Sequence, residues 1–367
     1  MNYFSTIYKS VDKVICLIVA LLAVISVLMI GSTTVDTNFF SRSVLVQMIA
    51  YTIGIIAILI TLRFNYTMLK QAIKPLYILS IGLLLLVYVP GLGTEAYGSR
   101  AWIDLGVTTV QPSEIVKILY ILILADYLND HKDELYNFKC LIKAGLIAAP
   151  IILIVLKEDL GSALVFAAIW VVMIFFAGID LKAFAKFFAL VLFVIPVAYV
   201  FMADYQKERI ESFLHPDNLN LTGNWQVWQS KVAIGSGGIF GKGLFNGTQK
   251  SLDFIPVQTS DFIFSVIGEE LGLVGGVIVI ALFGFLLVRM MKILYDALDF
   301  YGALIISGII GMFTFQIFEN IAMTMGLMPV TGITLPFLSY GGSSIVSNML
   351  AVALILNIGV RSKKINF

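Results

Sequence analysis

Long apolar runs recur along the whole chain and are separated by short polar segments. Most runs are close to the roughly 20 residues that an α-helix needs to cross the hydrocarbon core of a bilayer. This pattern predicts ten membrane spans, near residues 14–30, 44–62, 76–92, 112–127, 141–156, 162–179, 183–202, 262–288, 300–326 and 344–360. An even number of spans places both ends of the chain on the same side of the membrane.

The composition agrees with this pattern. Hydrophobic residues make up 59% of the 367 positions and charged residues only 13%, which is typical of a chain that lipid solvates. The predicted fold class is an all-α polytopic membrane protein with one transmembrane domain over residues 1–367. The formal net charge of +1 argues against a nucleic-acid partner, because such partners need a strongly basic surface.

The Lys and Arg residues indicate the orientation. Fifteen of them lie at the two termini and in alternate short loops, and only three, Arg42, Arg100 and Lys157, lie in the intervening short loops. The positive-inside rule then predicts that both termini are cytoplasmic. Residues 203–260, between the seventh and eighth spans, become one large extracytoplasmic loop.

One predicted helix carries two ionisable residues inside a span. Pro112 opens this helix, and Glu114 and Lys117 are three residues apart, so that they share one helix face. An unpaired charge at this depth is costly, which predicts either a buried ion pair that fixes helix packing or a polar cavity. Arg100, nearer the interface, could instead contact lipid headgroups.

Two outward segments carry further polar motifs. Asp159 follows a span and is suited to capping the next helix, which is the simpler interpretation. In the 203–260 loop, the Trp residues favour an amphipathic helix in the membrane interface. The glycine-rich run that follows is not a Walker A motif, because Ser236 and Gly243 occupy its first and last positions. Its backbone amides could still hold a pyrophosphate.

The strongest functional signal lies where this loop joins the eighth span. Asp261, Glu269 and Glu270 are three carboxylates within ten residues, at the mouth of an apolar helix. Glu269 and Glu270 lie two turns below Asp261 and are not expected to be catalytic. The segment 328–344 is broken by Gly and Pro and nearly uncharged, which predicts irregular backbone that lines a cavity, is buried in protein, or forms an outer loop that re-enters slightly.

Taken in order, these motifs resemble the SEDS family of bacterial cell-wall proteins, which includes RodA, FtsW and SpoVE. The resemblance covers most of the chain and depends on the segments GSRAWIDLG, QPSEIVK, EDLGS, ERIESFLHP, GSGGIFGKGL, SDFIFSVIGEELG and MPVTGITLPFLSYGGSS. The short termini and the TGITLPFLSYGGSS wording make it more similar to the RodA branch. It departs from the family at Thr259-Ser260-Asp261, where members commonly read His-Thr-Asp.

The resemblance implies a peptidoglycan glycosyltransferase of the bacterial cytoplasmic membrane, acting in cell elongation and shape. It would polymerise lipid II at the outer face, with inversion at the anomeric carbon, together with a class B penicillin-binding protein and other elongation proteins. Asp261 matches the family's essential aspartate and is expected to be the general base. The expected substrate-binding residues are Arg100, Glu114, Lys117, Asp159, Arg209 and Lys242.

No tightly bound cofactor is expected, although a divalent cation (Mg²⁺ or Mn²⁺) could share the pyrophosphate charge. Two other functions use the same features. A lipid II flippase would need polar residues that continue to the cytoplasmic side, whereas the polar motifs cluster in the outer half. A non-catalytic scaffold for a penicillin-binding protein would use Glu114 and Lys117 only for packing.

Overall fold

The computed structural model describes residues 10–34, 40–96, 99–104, 106, 109–135, 137–200, 202–248, 254 and 257–362. These residues are mostly helical. The α-helices are α1 Lys13–Thr33, α2 Arg42–Thr61, α3 Ile73–Leu85, α4 Pro112–Asp130, α5 Phe138–Glu158, α6 Leu160–Phe176, α7 Leu181–Val200, α8 Asp204–Leu214, α9 Thr222–Ser236, α10 Ile263–Tyr295, α11 Phe300–Thr324 and α12 Gly342–Ser362. Short 3₁₀ turns flank α3 at Tyr66–Ala72 and Leu86–Tyr88, and a third lies at Lys132–Glu134.

Each of the ten predicted spans coincides with a helix. Within the described residues, seven helical segments are long and apolar enough to cross a membrane: α1, α2, Tyr66–Tyr88, α5, α10, α11 and α12. The three other predicted spans correspond to α4, α6 and α7. The predicted helical membrane fold is confirmed, and the cytoplasmic placement of the termini stays a prediction.

Local sequence signals set several helix starts that matter for the site. Asp159 accepts a hydrogen bond from the Ser162 backbone N at 3.1 Å and so caps α6. Pro112 is the first residue of α4, where its missing N–H removes no helical hydrogen bond. The predicted cap and the predicted helix start are both confirmed.

A small antiparallel sheet lies in the connection between α3 and α4. It consists of β1 Gly93–Ala96, β2 Ser99–Asp104 and β3 Thr109–Val110, in the order β1-β2-β3. The all-α prediction missed it, because strands of two to six residues are too short to show an alternating pattern. This sheet places Arg100 beside the end of α5.

The centre of the bundle is formed by α11 and α12, which pack against α2, α4, α6 and α10. Small residues allow the closest approach. A Cβ built on Gly308 of α11 would lie 2.7 Å from Met173 Sδ, and one on Gly311 would lie 2.8 Å from Val172 Cβ. Replacing either glycine would therefore push α11 away from α6.

The large loop predicted at 203–260 contains α8 and α9. The interface-lying helix expected there is only partly correct. Trp225 and Trp228 of α9 are about half exposed, but Ser230 is fully buried. Its Oγ lies 2.6 Å from Ser265 Oγ on α10 and donates to the Thr324 carbonyl at 2.6 Å. The second half of α9 is thus inserted between α10 and the end of α11.

The glycine-rich run after α9 closes onto a kink in α10. Gly272 sits at the kink with φ +66° and ψ −162°, a conformation that favours glycine. A Cβ on Gly241 would lie 2.1 Å from the Glu270 carbonyl oxygen. The glycine-rich run therefore needs a glycine at this position, because its backbone is in direct contact with the backbone of α10.

The segment 328–344 is irregular and largely buried, as predicted. Its backbone carbonyls are held by side chains from α1 and α2. Ser26 donates to the Leu338 carbonyl at 2.8 Å, and Gln47 donates to the Ser339 carbonyl at 3.1 Å. These bonds satisfy backbone groups that water does not reach.

Candidate functional site

A cavity of about 820 Å³ opens at one end of the bundle. This volume is within the range of small-molecule binding sites. Its wall is built from α8, α9, the turn before α10, the segment between α11 and α12, and the first turn of α12. The ionisable residues in its wall are Glu158, Asp159, Glu208, Arg209, Lys231 and Asp261.

Asp261 lies in the turn directly before α10 and is half-buried. Its backbone N–H donates to the Val257 carbonyl at 3.2 Å, and its carbonyl accepts from Asn320 Nδ2 at 2.9 Å. Burial, with a smaller contribution from the nearby Asp159, raises the pKa of Asp261 to about 6, even though Ser260 and Arg209 act to lower it. A carboxylate with this pKa can accept a proton near neutral pH.

Arg209 projects from α8 into the same wall. Its Nη1 donates to the Thr331 carbonyl at 2.9 Å, and its guanidinium carbon lies 5.7 Å from the centre of the Tyr205 ring. A guanidinium has five N–H donors, so this anchor leaves donors for an anionic group in the cavity. Arg209 and Asp261 thus place a cation and a base in one wall.

Asp159 serves two purposes in the structure. Its carboxylate accepts from Ser162 N and Oγ at 3.1 and 2.6 Å and from Gln111 Nε2 at 3.1 Å, which fixes the start of α6. It also lines the cavity. The capping interaction therefore fixes the position of the Asp159 carboxylate relative to Asp261.

Arg100 lies next to the cavity and not in its wall. It is exposed on β2 and contributes to a smaller pocket that shares Glu158 and Asp159 with the large one. Its backbone N–H donates to Glu158 Oε2 at 3.0 Å. The sheet therefore brings Arg100 to the rim of the site.

The predicted pair on α4 is present. Lys117 Nζ lies 2.8 Å from Glu114 Oε1, and the two side chains are 1% and 6% exposed. Neither residue is in the wall of the large cavity. The geometry agrees with the interpretation of a buried ion pair that fixes α4, and it does not bring Lys117 into direct contact with the cavity.

Lys242 does not line the cavity. Its Nζ lies 2.7 Å from Glu269 Oε1 and donates to Thr248 Oγ1 at 2.6 Å. The amides of Lys242 and Gly243 donate to the carbonyls of Glu269 and Glu270, each at 3.0 Å. These donors hold the glycine run on α10, and the expectation that Lys242 binds substrate stays a prediction.

Sequence reasoning missed Glu158 and Lys231. Glu158 accepts hydrogen bonds from Tyr88 OH at 2.8 Å and from the Arg100 backbone. Lys231 lies on α9, against Gly326 at the end of α11. Glu158 is adjacent in sequence to the Asp159 cap, and that adjacency was the available signal. Nothing in the sequence around Lys231 indicates that it faces a cavity.

Within the described ranges, no three His, Cys, Asp or Glu side chains are grouped so that they could hold a metal ion. The predicted divalent cation therefore stays a prediction.

Comparisons with known proteins agree with this architecture. The family model described as "Cell cycle protein", for FtsW, RodA and SpoVE, matches residues 11–364. The stage V sporulation protein E of Bacillus subtilis is 36% identical over 96% of this chain and 98% of its own length. The peptidoglycan glycosyltransferase RodA of Treponema pallidum is 33% identical over 95% of this chain and 98% of its own length.

Two solved structures share the fold. A chain from a peptidoglycan synthase complex, described as coordinating polymerization and crosslinking, aligns with a TM-score of 0.81 and 29% identity over 96% of this chain and 99% of its own. The rod shape-determining protein RodA of Thermus thermophilus aligns with a TM-score of 0.69 and 27% identity over 96% of this chain and 98% of its own. The chain is a multi-pass bacterial membrane protein that belongs to the FtsW, RodA and SpoVE family of cell cycle proteins.

Proposed function

We propose that this protein is a peptidoglycan glycosyltransferase that polymerises lipid II into β-1,4 glycan strands at the outer face of the cytoplasmic membrane, for cell elongation and shape. The observation that carries the proposal is the cavity wall in which Asp261, Arg209 and Asp159 stand together. Relatives that this chain matches over 94% and 98% of their own lengths are named as a probable peptidoglycan glycosyltransferase FtsW and as a peptidoglycan glycosyltransferase RodA, which supports the reaction class.

The proposed step is a displacement at the anomeric carbon of one lipid-linked sugar. The 4-hydroxyl oxygen of the acceptor sugar forms a bond to that carbon, and the bond from the carbon to the pyrophosphate oxygen breaks. Asp261 accepts the hydroxyl proton, and the lipid pyrophosphate leaves with the electron pair. Attack opposite the leaving group inverts the configuration, so an α-linked donor gives a β-linked product.

Arg209 is the proposed partner of the departing pyrophosphate, because it is a cation in the cavity wall with donors to spare. Arg100, at the rim, is proposed to contact the phosphates as they enter or leave. Asp159 is proposed to contact sugar hydroxyls and to raise the pKa of Asp261. Glu114 and Lys117 support the site indirectly by fixing α4.

The proposed partner is a class B penicillin-binding protein, which would crosslink the strands that this protein makes. The structural neighbour from a complex that joins polymerization and crosslinking supports this pairing. Other membrane proteins of the elongation complex are further expected partners.

The test is glycan synthesis from labelled lipid II by the purified protein, alone and with its candidate class B partner, in preparations free of other polymerases. The proposal expects polymer from the wild type and none from Asp261→Asn. Lipid II translocation in proteoliposomes without polymer would support a flippase instead. Absence of both, with partner binding retained, would support a scaffold.

A further inference from the structure

Two adjacent polar residues of α11 are fully buried beneath the cavity. Glu319 and Asn320 are both 0% exposed, near the end of a mostly apolar helix. Burying polar groups is costly unless they are hydrogen-bonded. Asn320 is bonded directly to Asp261, and Glu319 is connected to Arg209 through Thr331.

Asn320 connects two separate segments of backbone. Its Nδ2 donates to the carbonyl of Asp261 at 2.9 Å and to the carbonyl of Ile333 at 2.8 Å. Both hydrogens of the amide nitrogen are therefore used. Asn320 fixes the turn that carries Asp261 against the segment that follows α11.

Glu319 holds the same segment through Thr331. The Thr331 hydroxyl donates to Glu319 Oε1, and the Thr331 carbonyl accepts from Arg209 Nη1 at 2.9 Å. The Thr331 backbone has little room to move, because a Cβ on Gly161 would lie 2.6 Å from its carbonyl oxygen. Glu319 and Gly161 thus fix the carbonyl that anchors the Arg209 guanidinium.

We propose that Glu319 and Asn320 are positioning residues: Asn320 sets the backbone of Asp261, and Glu319 sets Arg209 through Thr331. This inference rests on the proposed function. The Asn320 bond acts on the base, so its loss lowers kcat. The Glu319 bond acts on the cation that holds the pyrophosphate, so its loss raises KM or the Kd for lipid II.

Glu319→Met removes the acceptor at nearly constant volume, and Glu319→Gln keeps an acceptor oxygen for Thr331. We expect Glu319→Met to raise KM for lipid II about tenfold, a typical effect of losing one buried hydrogen bond. Glu319→Gln should restore most of that loss. We expect Asn320→Leu to lower kcat by a similar factor with little change in KM.

Gln316 provides a matched control on the same helix. It is 0% exposed and one turn away from Glu319 and Asn320, and its amide has no hydrogen-bond partner among the described residues. Gln316→Met should leave both kcat and KM within about twofold of wild type, because this residue has no bond to the cavity wall.

A double-mutant cycle separates positioning from a general effect on folding. In an Arg209→Ala background, Glu319→Met should add less than about twofold, since the residue through which it acts is gone. Equal losses in Glu319→Met and Gln316→Met, or additive effects in the cycle, would overturn the proposal. If the wild type makes no polymer, the proposed function is wrong. The effect of Glu319→Met, alone and in the Arg209→Ala background, is then measured by the Kd for lipid II.

Discussion

The ionisable residues of this protein fall into two regions that look alike in the sequence and differ in the structure. In the cavity wall, Asp261 and Arg209 come from a turn and a short outer helix, and both line open space. Elsewhere, Glu114–Lys117 and Lys242–Glu269 are closed ion pairs at 2.8 and 2.7 Å. A charge at membrane depth therefore indicates a function only when its partner leaves it accessible to a ligand.

Backbone position explains the difference. Glu114 and Lys117 are separated by one helical turn, so they meet each other without any contribution from a ligand. Asp261 and Arg209 lie on different elements. Among the ion pairs of the described residues, none joins these two side chains. The Thr331 carbonyl holds the Arg209 guanidinium, and the backbone N–H and carbonyl of Asp261 are both hydrogen-bonded. These bonds position the two residues while leaving charge for a substrate.

The largest effect is expected for Asp261→Asn. The substitution is nearly isosteric but removes the proton acceptor, so glycan synthesis should fall by at least about 10³-fold. Because burial raises the pKa of Asp261 to about 6, the charged form is disfavoured in the fold, and the neutral Asn should not lower the melting temperature. Polymerisation at the wild-type rate would remove Asp261 from the mechanism.

Lys117→Ala tests the closed ion pair between Glu114 and Lys117. It leaves the Glu114 carboxylate buried without its cation, which should lower the free energy of unfolding by about 3–5 kcal/mol. Yield and melting temperature in detergent should fall together with activity. The double variant Glu114→Leu/Lys117→Met removes both charges and should recover most of the stability. Full activity and yield in Lys117→Ala would show that the pair has neither role.

The pH dependence of kcat/KM tests the role of Asp261 as the base in the cavity wall. The base form of Asp261 is present above its raised pKa of about 6 and is lost as the pH falls through that value. Activity should therefore decrease about tenfold between about pH 7 and about pH 5. Arg209 lowers this pKa, so the acid limb of Arg209→Ala should shift to higher pH. A flat profile in the wild type would contradict the base assignment.

The sequence was sufficient for the ten helices, for the Glu114–Lys117 pair and for the place of Asp261 directly before α10, because long apolar runs, one-turn spacing and a distinct motif are local signals. The catalytic role of Asp261 stays a prediction. It could not place Lys242 on Glu269, since that contact joins positions 27 residues apart that lie on two different segments of the chain. Glu319 and Asn320 were missed for a similar reason, because their partners lie in other segments of the chain.

The smallest effect is expected for Lys242→Ala. Lys242 is paired with Glu269 outside the cavity wall, so kcat and KM for lipid II should stay within about twofold of wild type. Glu269 keeps donors from Thr248 N and Oγ1 at 2.8 and 3.0 Å, so the loss of stability should be only about 1–2 kcal/mol. Lys231→Ala, which removes a cation from the wall, is the matched comparison and should raise KM. A large rise in KM for Lys242→Ala would show that this lysine contacts the substrate, as the charges of the cavity wall are proposed to do. The Lys242–Glu269 pair would then not belong with the closed ion pairs, and the distinction between the two regions would be wrong for the glycine-rich run.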